Sequence, residues 1–148
     1  MKLYLSQLLN TEACSAATTV AGMEQVTGIG GIFFRARDPE ALTRWYETHL
    51  GVPGPPPSYD QRSWEQQAGP TVFAPFADDS EHFRRPEQQW AINFRVGDLD
   101  AMLAQLADAG IDVDVHKQPY PNGRFAELVD PEGNPIQLWE PAGADSVS

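Results

Sequence analysis

The sequence predicts an α+β domain built from two tandem β-α-β-β-β modules. Three observations predict it. The stretch Phe34 to Leu42 and the stretch Phe94 to Met102 share Phe, Arg, Asp and Ala in constant register. Each stretch then follows one grammar, an apolar strand, an Asp cap, a helical period and a glycine stop. Near the end, Asp130-Pro-Glu-Gly-Asn134 forms a strong turn between two further strand candidates. The chain has 148 residues, the size of one domain.

Residues 1–26 read as a poorly ordered N-terminal arm. Lys2, Leu3, Leu5, Leu8 and Leu9, followed by small residues, faintly resemble a secretory leader, but Ser6, Gln7, Asn10 and Glu12 interrupt it. Met23 is an alternative start. The single domain then covers residues 27–141. Module one, about 27–77, opens with a strand at Ile29–Ala36, rich in β-branched and aromatic residues. Asp38 caps the first helix and Pro39 takes its first position, where a missing N–H costs nothing. Leu42, Trp45, Tyr46 and Leu50 supply the helical period and Gly51 ends it. The Pro53–Pro57 run is a loop. Strands are expected near Ser58, at Ser63–Gln67 and at Thr71–Phe76, and residues 77–88 link the halves.

Module two, about 89–141, repeats the plan. Trp90–Val96 is its first strand, and Asp98 caps a helix carrying Met102, Leu103, Leu106 and Ala109 before Gly110. Asp112–His116, Arg124–Val129 and Pro135–Glu140 follow as strands, and 142–148 is a tail. Strand alternation puts Trp90, Ile92, Phe94 and Val96 under the helix, with Ala91, Asn93 and Arg95 opposite. By the repeat, Ile32, Phe34 and Ala36 face a helix, and Gly31, Phe33 and Arg35 face away. Ile136 and Leu138 face the core, and Gln137 and Trp139 oppose them. The mixed aromatic and polar set either meets water or lines a concave cleft between two curved half-sheets.

Composition narrows the partners. Asp and Glu number 21 against 10 Lys and Arg, a net charge of −11. That charge, with no basic run longer than Arg84-Arg85, argues against nucleic acid and against an anionic membrane surface. No apolar run reaches a membrane span. The single cysteine, Cys14, precludes an internal disulfide and fits a reducing compartment, here the cytoplasm. The three histidines, His49, His82 and His116, share no zinc spacing. His49 suits the last turn of the first helix, His82 a solvated acidic loop, and His116 an exposed strand end. No nucleophile elbow, phosphate loop or dinucleotide fingerprint is present.

Phe34-Arg-Ala-Arg-Asp-Pro-Glu, Trp45-Tyr46, Leu50-Gly51, Phe94-Arg-Val-Gly-Asp-Leu-Asp, Gly123-Arg-Phe and Asp130-Pro-Glu-Gly-Asn-Pro-Ile-Gln-Leu-Trp139 together resemble the vicinal oxygen chelate superfamily. That superfamily includes glyoxalase I, the bleomycin-resistance proteins and the extradiol dioxygenases. The resemblance covers about residues 27–141. It implies two βαβββ modules around a U-shaped cleft, often in a dimer, with a divalent metal in the cleft of the family's enzymes. The family's ligand positions fall here on Gly31, Ala91 and Gln137, with a fourth near Val72–Phe76, where no Asp, Glu or His occurs. Gly31 and Ala91 offer no side-chain donor and Gln137 only a neutral oxygen, so no metal and no cofactor are expected.

The leading expectation is therefore a glyoxalase/bleomycin-resistance-like homodimer that binds a small organic molecule without metal. Phe33, Arg35, Trp64, Phe73, Asn93, Arg95, Gln137 and Trp139 are the expected ligand contacts. Aromatic residues and acidity suit a planar or cationic ligand, whereas cleft arginines suit an anion. The alternative is a glyoxalase-like lyase or isomerase, or a dioxygenase-related enzyme with a non-standard site, in which Glu127 is the general-base candidate. A third reading leaves the sheet faces to dimerisation alone.

Overall fold

The computed structural model describes residues 22–147. The expectations for the N-terminal arm, including Cys14, lie almost wholly outside the described residues. Helix α1 spans Pro39–Leu50 and helix α2 spans Leu99–Asp108. Asp38 and Asp98 cap them, accepting from the N–H groups of Ala41 and Ala101 at 3.0 and 2.9 Å. Gly51 ends α1 in the left-handed conformation at φ +67°, which other residues adopt only under strain. Four strands follow the predicted order: β1 (Ile92–Arg95), β2 (Asp114–Val115), β3 (Gly123–Val129) and β4 (Pro135–Pro141). They form one sheet in the order β1-β4-β3-β2, with β1 parallel to β4 and the other pairs antiparallel.

Both helices pack on one face of this sheet. Leu42 and Tyr46 of α1 and Leu99 and Leu106 of α2 bury themselves against Ala126, Leu128, Ile136 and Leu138. Removing each large apolar side chain from water contributes roughly 1.5–3 kcal/mol. The Asp130–Asn134 turn locks α1 in place. The Tyr46 hydroxyl donates to Asp130 Oδ2 at 2.8 Å, and burial, reinforced by that carboxylate, pushes the phenol well above its usual range. Glu132 accepts from the N–H groups of Arg37 and Asp38, just ahead of α1.

The first half departs from expectation. The segments Ile29–Ala36, Ser63–Gln67 and Thr71–Phe76 form no ladder among the described residues, so the sheet belongs to module two. The physical reason is the lack of a partner face. Module one's helix is already committed to the module-two sheet, Pro70 and Pro75 remove ladder donors, and Gly30 and Gly31 weaken the first segment. Ile32, which alternation puts under a helix, is 53% exposed, and Phe33 and Phe73, expected to line the cleft, are 96% and 87% exposed.

Candidate functional site

The face of the sheet turned away from the helices carries two rows of side chains. The first row is polar. Asn93 on β1, Gln137 on β4 and Glu127 on β3 stand side by side in register. Asn93 Nδ2 donates to Gln137 Oε1 at 2.7 Å, and Gln137 Nε2 donates to Glu127 Oε1 at 3.3 Å. His116, just beyond β2, completes the row with Nε2 3.3 Å from the same carboxylate oxygen. A carboxylate bound on two sides by an amide and an imidazole is held in one orientation.

The second row is aromatic. Phe125 and Trp139 are register partners with parallel rings, centroids 6.1 Å apart, and they are 1% and 3% exposed. The indole N–H donates to Asn122 O at 2.8 Å. Gly123 makes this packing possible. It sits at φ +136°, and a Cβ there would fall 2.1 Å from Glu140 O and 2.8 Å from the indole nitrogen. Tyr120 meets Phe125 edge-on at 5.8 Å.

The linker between the halves covers this face. Phe76 packs on Phe125 and Trp139. His82 stacks on Phe76 at 4.6 Å with the rings 2° from parallel, and Phe83 meets Phe76 edge-on. Burial holds the His82 imidazole below its usual range, against an opposing pull from Glu127. His82, Arg84, Ala91, Glu127, Ile136 and Gln137 enclose about 10 Å³, close to the room one water needs. A larger open groove, about 410 Å³, lies elsewhere, between α2 and β2. Its lining of Leu103, Ala107, Ile111, Val113 and Val115 brings only Asp112 as a charged group, so it lacks the converging polar groups of a ligand site.

The expected residues divide into two groups. Asn93, Glu127, Gln137 and Trp139 come together on this face. Arg95 stands beside Trp139, with Nη2 donating to Gln67 O at 2.9 Å and its guanidinium filling the space over Gly69. Phe33, Arg35, Trp64 and Phe73 do not join them and are exposed in the unpaired segments. His82 and His116, expected in solvent, are both half-buried at the site. Phe125 and His116 were within reach of the sequence, because alternation from Glu127 and Asp114 puts them on the same face. Phe76 lies in a loop and His82 in the short 3-10 helix Glu81–Phe83, and neither carries a periodic signal.

The described residues at the family's metal positions do not fit a divalent metal. Ala91 lines the site without a donor, Gly31 lies under the ring of Phe33, and the Gln137 oxygen accepts from Asn93. Among the described residues no group of three or more His, Cys, Asp or Glu is placed to hold an ion.

A mixed sheet backed by two helices defines an α+β protein. The glyoxalase-like domain family matches residues 31–139, and the chain belongs to that family, within the vicinal oxygen chelate superfamily. Among solved structures, TnmS3, an antibiotic binding protein from Streptomyces sp. CB03234, is 39% identical over 34% of this chain and 41% of its own, with a TM-score of 0.32. A glyoxalase/bleomycin resistance protein from the same organism is 39% identical over 33% of this chain and 42% of its own, with a TM-score of 0.30. A glyoxylase/bleomycin resistance protein/dioxygenase domain from Frankia sp. EAN1pec is 14% identical over 80% of this chain and 100% of its own, with a TM-score of 0.48. The chain spans about two fifths of the length of the two Streptomyces structures. No curated protein matches it. No helix among the described residues is long and apolar enough to cross a membrane.

Proposed function

We propose that this chain binds a small organic molecule, without a divalent metal, on the sheet face opposite its helices. One observation carries the reading. The row Asn93–Gln137–Glu127–His116, which includes one of the family's ligand positions in Gln137, is a self-bonded strip of amide, carboxylate and imidazole, flanked by Phe125 and Trp139. Such a strip recognises a planar ligand by stacking and by a donor offered to Glu127.

The two-module U-shaped cleft belongs to a cytoplasmic homodimer in this reading, with residues 27–141 as its folding unit. The exposed Ile32, Phe33, Val72 and Phe73 support it, since apolar side chains in strand-like segments gain a partner surface on association. The test is elemental analysis of tag-free protein purified without chelators, with melting curves in added Mn, Fe, Co, Ni or Zn. No bound metal and no shift are expected, and a stoichiometric metal overturns the reading.

The His116–Glu127 contact favours a second reading, a glyoxalase-like lyase or isomerase, or a dioxygenase-related enzyme, in which Glu127 moves a proton. Glu127→Gln separates the two. Loss of turnover with retained affinity favours the enzyme, and loss of affinity favours the binding protein.

A further inference from the structure

We propose that the outer edge of β2 and the apolar groove beside it take up an extended segment of another protein, one that alternates apolar and basic residues. The sheet ends at β2, whose far side pairs with no strand among the described residues. His116 N donates to Phe125 O at 3.0 Å, and Asp114 stands opposite Glu127. Along an antiparallel strand the backbone groups of successive residues turn to opposite sides. Those of Asp114 and His116 therefore turn to β3, and those of Val113 and Val115 turn outward. An edge of this kind is a template for one more strand.

The groove lies against the same residues. Leu103, Ala107, Ile111, Val113 and Val115 line its open volume of about 410 Å³, and Val115 is 39% exposed. Val113 and Val115 thus supply both the outward backbone groups and part of the apolar wall. Side chains directly opposite across a strand pair share a face. Every second side chain of an added strand would therefore enter the groove, and the others would lie on the face of Asp114.

Charge selects the occupant. Asp112 is the one charged residue of the lining, and Asp108 and Asp114, each next to lining residues in the chain, are exposed. Asp108 also sits in the last turn of α2, at the negative end of the helix dipole, where the helix carries no basic residue. Lys117, past the strand end, is not among the lining residues. A second copy of this chain would set these acids against their own kind, which is unfavourable across a strand pair. A strand with basic residues between its apolar ones meets them with opposite charge while its main chain pairs with the edge.

The probe is a capped peptide of alternating valine and lysine, titrated against the full chain. It should bind, and the Val113 and Val115 amides should gain about tenfold or more protection from hydrogen exchange. The same peptide with its backbone nitrogens methylated should not bind, and one alternating valine and glutamate should bind about tenfold or more weaker. Val115→Pro removes an outward N–H and none that β3 uses, so it should weaken binding about tenfold or more. The methylated peptide decides the same point without altering the protein. Asp112→Lys should weaken binding about fivefold at low salt and by less at high salt. Failure of the valine–lysine peptide to bind, binding of the methylated one, protection that spares Val113 and Val115, or unchanged affinity in either variant overturns the proposal. So does a dimer in sedimentation that Val115→Pro dissociates, which would give the edge to a second copy.

Discussion

Toward the helices, β3 and β4 present Ala126, Leu128, Ile136 and Leu138, all buried under α1 and α2. From the other side of the same two strands, Phe125, Glu127, Gln137 and Trp139 point into a space covered by loop residues. One face is closed by regular elements with a capped, periodic sequence. Among the described residues, the other meets Phe76, Tyr120 and, through His82, the short 3-10 helix Glu81–Phe83. The difference teaches where stability and recognition are kept apart. The helix side belongs to the larger apolar core, whereas the other side joins a smaller aromatic cluster to the polar row.

Substitutions on the two sides should therefore behave differently. Leu138→Ala empties a fully buried position and should destabilise the chain by about 2–5 kcal/mol in urea unfolding. A loss below about 1 kcal/mol would mean that the helices do not close this face as described. Tyr46→Phe removes the donor to Asp130 and should cost about 1–3 kcal/mol, because a buried carboxylate oxygen loses one partner while keeping Asn134 Nδ2.

On the loop side the effect should be smaller and pH-dependent. Burial holds the His82 imidazole below its usual range in the folded chain, so the unfolded state binds the proton more readily. Its contribution is present in full above about pH 6.5 and is lost as pH falls through the lower folded-state value. Urea unfolding at pH 7.5 and 5.5 should show this fall, and His82→Phe, which keeps the stack on Phe76, should remove that share of it. An equal fall in both proteins would locate the titration elsewhere. The smallest effect should come from Asp100→Asn. The Arg124 guanidinium hydrogen-bonds Asp100 and lowers its carboxyl's pKa, but the pair is open to solvent, so melting should not change measurably at moderate salt.

Module two was legible because several local signals agreed. Asp98, the leucine period of α2, the alternation in β3 and β4 and the Asp130–Asn134 turn each point to the same element boundaries. The polar row was partly legible for the same reason. Alternation puts Asn93, Gln137 and Glu127 on one face, but only the β1-β4-β3 register shows that they touch. The first half has strand composition without strand pairing among the described residues. Ile29–Ala36 has strand residues, yet a strand needs a neighbour, and none of the described residues provides one. Phe76 and His82 were not recoverable, since a loop's path over a sheet follows from packing rather than from period.

The account stands most directly on where a small molecule binds. Proton–nitrogen correlation spectra, recorded while 1-methylquinolinium, a planar cation, is titrated, would report this residue by residue. The account predicts that the Trp139 indole signal, the side-chain amides of Asn93 and Gln137, and the backbone of residues 76–85 shift together. Shifts confined to the Leu103–Val115 groove, or to the exposed Phe33 and Phe73 segments, would contradict it.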